Sequence, residues 1–288
     1  GLGAEIVHAD AGTELTLKGP LDDENPPDTY DGLLRVAGDG SVIVDMNINN
    51  GGTSTQSIRV ESGSTERWFG DANAPGPNLV IKGSVNAGFA AINVDARAAE
   101  SVTLAAGAGD ITFAGGVALA AGPGTQVLLE EGSRIRNLGS SNAYTGTGIQ
   151  GQNSDIVNRG SIIEDLDSNA TRDNISTGVE LIGGSLGNEG TGRGVGPINM
   201  LGSPVYGSGD GGLIVNDGEI ISQYGDAIQV ASWNHTRITN GERGVIRGHA
   251  DGNLIGTAGA AITGGVGEET VENAGTISGH VLLGSGRD

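Results

Sequence analysis

One short phrase recurs through the second half of the chain and constrains its fold more than any other feature. The phrase is an asparagine, any residue, a glycine and, two residues later, an isoleucine, and its clear copies lie in Val157–Ile162, Val215–Ile220 and Glu272–Ile277. A degenerate copy surrounds Asn188, and the copy at Asn240 has two extra residues before its glycine. The five asparagines follow one another at intervals of 30, 28, 24 and 33 residues. One strand and one turn repeated at irregular intervals of this size predict a solenoid.

A second phrase keeps its order relative to the first. Small-aliphatic pairs end 9, 9, 12 and 11 residues before an asparagine of the first phrase. Each coil therefore contains at least two short strands, while the connections vary in length, which is typical of a parallel β-helix. Ordinary hairpin turns in a β-sandwich are the alternative, but they do not explain why the two phrases recur together. The pairs are Gly148-Ile149, Gly178-Val179, Ala227-Ile228 and Ala261-Ile262.

The asparagine and glycine of the phrase are predicted to have structural roles at a corner of each coil. Stacked asparagines can form a hydrogen-bonded ladder. We expect the glycine to adopt a positive φ, which glycine reaches without strain. The isoleucines of the three copies, Ile162, Ile220 and Ile277, should stack inside the core. The structural residues predicted in this way are Asn158, Gly160, Asn216, Gly218, Asn273 and Gly275.

Composition supports an all-β solenoid of about a dozen coils in one domain, residues 1–288. Glycine accounts for 54 of 288 residues and aromatic residues for only 3%, which suits a thin core of stacked aliphatic side chains. Residues 133–288 are the regular coils, and residues 1–132 are less regular. Proline-containing stretches at 19–30 and 65–78 are predicted to be loop insertions. Strand-like runs in the first half are Glu14–Leu17, Gly32–Val36, Ser41–Asp45, Ser57–Val60, Leu79–Lys82, Ala91–Asp95, Ser101–Leu104, Asp110–Phe113 and Gln126–Leu129.

Charge and residue types exclude several functions. The formal net charge of −20 argues against nucleic acid and anionic lipid as partners, because these need a basic surface. The four histidines have no metal-ligand spacing, cysteine is absent, and no calcium-binding loop can be written over the acids, so we predict neither a metal nor a cofactor. No apolar run is long enough for a transmembrane helix.

One group of residues could form a carbohydrate site. Tyr144 and Tyr224 precede equivalent strands, and Trp233 follows the second of these strands, so the three rings could stack on sugars. Carboxylates near them could act as acid and base in glycosidic bond cleavage. The alternative is that all of these are exposed loop residues of an acidic stalk. The catalytic candidates are Asp165, Asp167, Asp226 and His235.

The run Val271–Gly286, together with Gly259–Ile262, resembles the passenger region of bacterial autotransporters. The resemblance is good over residues 133–288 and only compositional over residues 1–132. It implies a right-handed parallel β-helix that is displayed on the bacterial surface or secreted, after export through a C-terminal outer-membrane barrel that these residues do not include. It implies no particular activity.

We therefore expect an adhesin or structural β-helix. Its partner would be a glycan or protein of a host or bacterial cell surface, or a second copy of the chain. The alternative function is a carbohydrate-active β-helix enzyme, either a polysaccharide lyase or a glycoside hydrolase.

Overall fold

The protein is a parallel β-solenoid. In the described residues all 26 strand pairings are parallel and there is no helix. The all-β parallel solenoid predicted from the sequence is thus confirmed. The computed structural model describes residues 5–18, 33–50, 56–60, 76–87, 90–94, 101–113, 116–138, 146–164, 177–189, 198–200, 205–208, 212–222, 226–231, 235–248 and 259–288.

The strands form three ladders, which the chain visits in the same order in each coil. The first ladder contains β1 (Glu5–Ala9), β3 (Leu34–Gly38), β6 (Gln56–Val60), β9 (Ala90–Val94), β12 (Gly116–Ala121), the first halves of β15 (Gly146–Asn158) and β17 (Thr177–Asn188), β19 (Val205–Ser208), β22 (Ile228–Val230), β25 (Ile262–Thr263) and β28 (Val281–Leu282).

The second ladder shares one 19-stranded sheet with the first, because β15 and β17 are long enough to belong to both. It contains β2 (Glu14–Lys18), β4 (Ser41–Asp45), β7 (Asn78–Ile81), β10 (Ser101–Leu104), β13 (Gln126–Leu129), the second halves of β15 and β17, β20 (Gly212–Asn216), β23 (Thr236–Asn240) and β26 (Glu269–Asn273).

The third ladder is a separate nine-stranded sheet. It contains β5 (Ile48–Asn50), β8 (Val85–Ala87), β11 (Ile111–Phe113), β14 (Arg134–Asn137), β16 (Ser161–Glu164), β18 (Ile198–Met200), β21 (Glu219–Ser222), β24 (Val245–Arg247) and β27 (Thr276–Ser278). The second ladder has ten strands, so the described residues make ten coils where the sequence predicted about a dozen.

The core consists of inward side chains stacked on their equivalents in the next coil. Each ladder contributes an apolar row, and its side chains are almost all fully buried. Burying one such side chain stabilises the fold by about 1.5–3 kcal/mol. A core only a few side chains wide therefore suffices, because it continues along the solenoid axis. The described side chains of the third-ladder row are Ile48, Val85, Ile111, Ile135, Ile162, Ile220, Ile246 and Ile277.

One row at the end of the second ladder changes its chemistry half-way along the molecule. We call it the corner row, because it lies where the chain turns toward the third ladder. Its first five positions are aliphatic and its last five are asparagine, and all are buried except those at the two ends. The predicted repeat positions Asn158, Asn216 and Asn273 are equivalent in this register. In order, the row is Leu17, Val44, Ile81, Leu104, Leu129, Asn158, Asn188, Asn216, Asn240 and Asn273.

The five asparagines form a hydrogen-bonded ladder with one direction. Each Nδ2 donates to the Oδ1 of the asparagine in the next coil, at 2.9 Å for the first pair and 2.8 Å for the other three. The first member of the ladder, Asn158, stacks on Leu129 of the preceding coil. Because the leucine side chain has no donor, the Oδ1 of Asn158 is buried without a hydrogen-bond partner. It ends at the exposed Asn273, whose Nδ2 donates to the Gly275 carbonyl.

The expected positive φ at the phrase glycines is wrong. Left-handed glycines occur elsewhere, and neither Gly160, Gly218 nor Gly275 is among them. Two of these glycines are required because the coils approach closely. A Cβ on Gly160 would lie 2.5 Å from the Ser133 carbonyl oxygen, and one on Gly275 would collide with the carbonyl oxygens of Gly241 and Gly244 in the preceding coil.

Candidate functional site

Asp226 lies just before β22 and ties its coil to the next one. One carboxylate oxygen accepts the backbone N–H of Ala260 at 2.7 Å, and the other accepts the hydroxyl of Thr263 at 2.8 Å. The two oxygens thus hold Ala260, just before β25, and Thr263, the last residue of β25, in the next coil. A carboxylate held in this way works as a link between coils, whereas a general acid or base needs a free oxygen within reach of substrate.

His235 lies at the opposite end of β22 from Asp226, immediately before β23. Its side chain is about half exposed, and Nδ1 is 3.9 Å from a carboxylate oxygen of Glu268. The two described catalytic candidates therefore precede strands of two different ladders, Asp226 before β22 of the first and His235 before β23 of the second. The other predicted site residues, Tyr144, Asp165, Asp167, Tyr224 and Trp233, lie outside the described residues, and the carbohydrate site stays a prediction.

Charged side chains on the outer surface pair between neighbouring coils. Arg159 donates to Glu189 at 2.8 Å, and Arg237 donates to both carboxylate oxygens of Glu272 at 2.7 and 2.9 Å. The hydrogen bond to Glu272 raises the pKa of Arg237. Exposed pairs of this kind contribute little to stability, on the order of 0.2–1 kcal/mol. They fix the conformations of long side chains on the solenoid wall.

Among the described residues, Glu269 is the one charged residue that is fully buried, with 1% of its surface exposed. Its Oε1 accepts the Gly265 N–H at 3.4 Å, and its Oε2 has no hydrogen-bond partner. Burial raises the pKa of this carboxyl group, with a further contribution from the nearby Asp288 carboxylate. This burial could not be predicted from the sequence, because Glu269 follows Glu268 in an acidic stretch that is typical of an exposed surface.

The outer wall of the second ladder contains a depression of about 470 Å³ that sequence reasoning also missed. Its apolar walls are Val157, Leu213 and Val215, and its floor is the backbone of Gly187. Polar groups of Ser185, Glu189, Asp217 and Arg243 lie around it. The signal was present in the degenerate copy of the phrase, because a glycine there replaces the larger residue that precedes the asparagine in the other copies.

Neither a metal site nor a known relative assigns a function to the chain. In the described part of the chain, no group of three or more acidic or histidine side chains is placed to hold a metal ion. Within the same residues, no helix has the length and apolar character needed to cross a membrane. No protein-family model, no curated protein and no solved structure matches the chain.

Proposed function

We propose that this chain is a surface-displayed or secreted bacterial β-helix of the autotransporter passenger kind, acting as an adhesin or as a structural display element. The observation that supports this most is the unbroken stacking of ten coils, from β1 to β28, by parallel ladders. Each coil contacts only its neighbours, so the fold extends along one axis and presents rows of outward side chains. An extended surface of repeated rows suits attachment better than it suits catalysis in an enclosed pocket.

Two further properties suit a protein that works outside the cell. Stacked hydrogen bonds and aliphatic rows hold the fold together without any disulfide, since the chain has no cysteine. The net charge of −20 keeps such a surface soluble and resists nonspecific association. The partner is a glycan or protein of a host or bacterial cell surface, or a second copy of the chain.

Binding to intact cells tests the proposal. Fluorescently labelled protein is titrated onto cultured animal cells and onto Gram-negative bacteria, with an unrelated acidic protein of matched charge as the control. We expect saturable binding to one cell type that unlabelled protein competes away, and no binding by the control. Binding to neither cell type, combined with no self-association in sedimentation velocity, contradicts the adhesion role.

The alternative, a polysaccharide lyase or glycoside hydrolase, has no described contact in its favour. Both oxygens of Asp226 are occupied by Ala260 and Thr263, and His235 lies at the other end of β22. The same protein preparation can be incubated with acidic polysaccharides while reducing ends are measured. The enzyme function would be supported if the unmodified protein releases reducing ends and Asp226→Asn does not, provided that the variant has an unchanged melting temperature.

A further inference from the structure

Gly187 interrupts an outward row of side chains on the second ladder. Every other position of that row carries a side chain, whereas Gly187 leaves a gap between Val157 and Val215. A Cβ on Gly187 would find its nearest neighbours only at 3.9 Å, and its φ is not positive. Neither close packing nor backbone conformation therefore requires a glycine here. The row is Thr16, Ile43, Val80, Thr103, Leu128, Val157, Gly187, Val215, Thr239 and Glu272.

Leu213 makes the gap apolar on a second side. It belongs to the neighbouring outward row, and 40% of its surface is exposed. The other nine positions of this row are polar or charged, and only Thr270 among them carries a methyl group. An exposed leucine next to a missing side chain forms an apolar pocket wall. Contact of this wall with water is unfavourable in free energy. The neighbouring row is Glu14, Ser41, Asn78, Ser101, Gln126, Asp155, Ser185, Leu213, Arg237 and Thr270.

Some of the charged side chains around the depression have an ion-pair partner and others do not. Glu189 is neutralised by Arg159 at 2.8 Å. Arg243 is exposed and has neither an ion pair nor a hydrogen bond among the residues that the structure describes, and the Asp217 carboxylate likewise has none there. Arg243 lies in the two-residue extension that distinguishes the turn after Asn240 from the other copies of the phrase. The extension thus places a free guanidinium beside an apolar gap.

We propose that this depression binds an extended peptide segment of a partner protein that carries an aliphatic side chain followed by a carboxylate. The aliphatic side chain fills the space above Gly187, against Val157, Leu213 and Val215. The peptide carboxylate pairs with Arg243, whose planar fork suits a carboxylate. Asp217 accepts a backbone N–H of the peptide. Among the described residues no aromatic ring lines the depression, which disfavours a sugar as the occupant.

The inference stands apart from the proposed display role, because it concerns a binding property of the folded chain wherever the protein is located. Methyl NMR tests it directly. The probe is the blocked peptide acetyl-Gly-Leu-Asp-Gly-amide, titrated to about 10 mM because a short segment of this kind binds in the millimolar range. We expect saturable shifts of the Val157, Leu213 and Val215 methyl signals. Replacing Leu in the peptide by Ser should abolish the shifts, and replacing Asp by Asn should weaken binding about fivefold.

Two protein variants and a control locate the site. Gly187→Leu should abolish the shifts, because the new side chain occupies the space, and Arg243→Gln should remove the preference for Asp over Asn in the peptide. Thr103→Leu adds the same side chain to the same row at a distant coil and should change nothing. Absence of saturable shifts in the unmodified protein, shifts that persist in Gly187→Leu, or equal binding of the Asp and Asn peptides would each overturn the proposal.

Discussion

The two halves of the corner row solve the same packing problem with different chemistry. From Leu17 to Leu129 the row is filled by aliphatic side chains, and from Asn158 to Asn273 by asparagines in the same register. The width of the turn does not explain the change, because three residues lie between the corner position and the third-ladder core residue after Val44, as they do after Asn216. One backbone corner therefore accepts either an apolar stack or an amide ladder.

The difference lies in how the residues of each half depend on one another. Burial of an aliphatic side chain is non-directional, so each residue contributes in approximate proportion to its own area. The contribution of a buried asparagine depends on its neighbours supplying a donor and an acceptor, because each unsatisfied polar group costs about 1–3 kcal/mol. The asparagine half is thus a coupled network. Where the two halves meet, between Leu129 and Asn158, the Oδ1 of Asn158 is left without a hydrogen-bond partner.

The largest effect is expected from an amide placed in the aliphatic half. Leu104→Asn removes a fully buried leucine and leaves both the amide oxygen and the amide nitrogen without partners. We expect a loss of about 4 kcal/mol in the free energy of unfolding, measured by urea denaturation.

Leu129→Asn is the matched control for that substitution. Its Nδ2 can donate to the unpartnered Oδ1 of Asn158, which extends the ladder by one coil. It should therefore cost at least 1 kcal/mol less than Leu104→Asn. Equal losses for the two variants would mean that the junction is not the polar end of a ladder.

A smaller effect is expected inside the asparagine half. Asn216→Ala leaves the Nδ2 of Asn188 and the Oδ1 of Asn240 without their ladder partners, and we expect a loss of about 2 kcal/mol. Asn273→Ala, at the exposed end, removes one partner that water can replace and should cost less than about 1 kcal/mol. Denaturation curves that give the same loss for both positions would argue against a ladder with an interior and an end.

The pH dependence of stability should arise in the asparagine half, where Glu269 is buried. Because the pKa of Glu269 is raised in the folded protein, the folded state binds more protons than the unfolded state above the ordinary carboxyl pKa of about 4.3. The stability contribution of this group is fully present below that pH and is lost as the pH rises through the raised pKa. Glu269→Gln should remove this loss, so the variant should gain on the unmodified protein between acid and neutral pH in urea midpoints. A constant difference between the two across that range contradicts the assignment.

The smallest effect is expected from metal removal, which should affect neither half. The acids of the chain lack ligand spacing, so EDTA should leave the melting temperature nearly unchanged. A specifically bound ion at a hundredfold excess over its Kd would contribute about 2.7 kcal/mol. A marked fall in melting temperature on chelation would therefore show that the protein binds a stabilising metal ion and would contradict this prediction.

Much of this architecture could be predicted because solenoid positions repeat in sequence. Each of the nine strand-like runs of the first half overlaps a strand, from β2 to β13, and the asparagine intervals match the ladder hydrogen bonds. Of the short third-ladder strands in the first half, the predicted runs include β11 but not β5, β8 or β14, because three or four residues carry little alternation.

Other features could not be predicted because they depend on residues one coil away. The role of Gly160 follows from the position of the Ser133 carbonyl, and the role of Asp226 from Ala260 and Thr263, more than 30 residues later. The depression at Gly187 likewise needs the register of β15, β17 and β20. Irregular connection lengths hide such neighbours until the register is known.

A double-mutant cycle at Asn188 and Asn216 tests the central claim, that the asparagine half is a coupled network. Leucine is the replacement, because the aliphatic half uses it at the same position. Each single variant removes the ladder partner from two amide groups of its neighbours. The double variant also removes it from two groups, the Nδ2 of Asn158 and the Oδ1 of Asn240. We therefore predict that Asn188→Leu and Asn216→Leu together cost about as much as either alone, a coupling energy of about 2 kcal/mol in the free energy of unfolding. Losses that add within about 0.5 kcal/mol would contradict the account, because the asparagines would then be independent, as the leucines are.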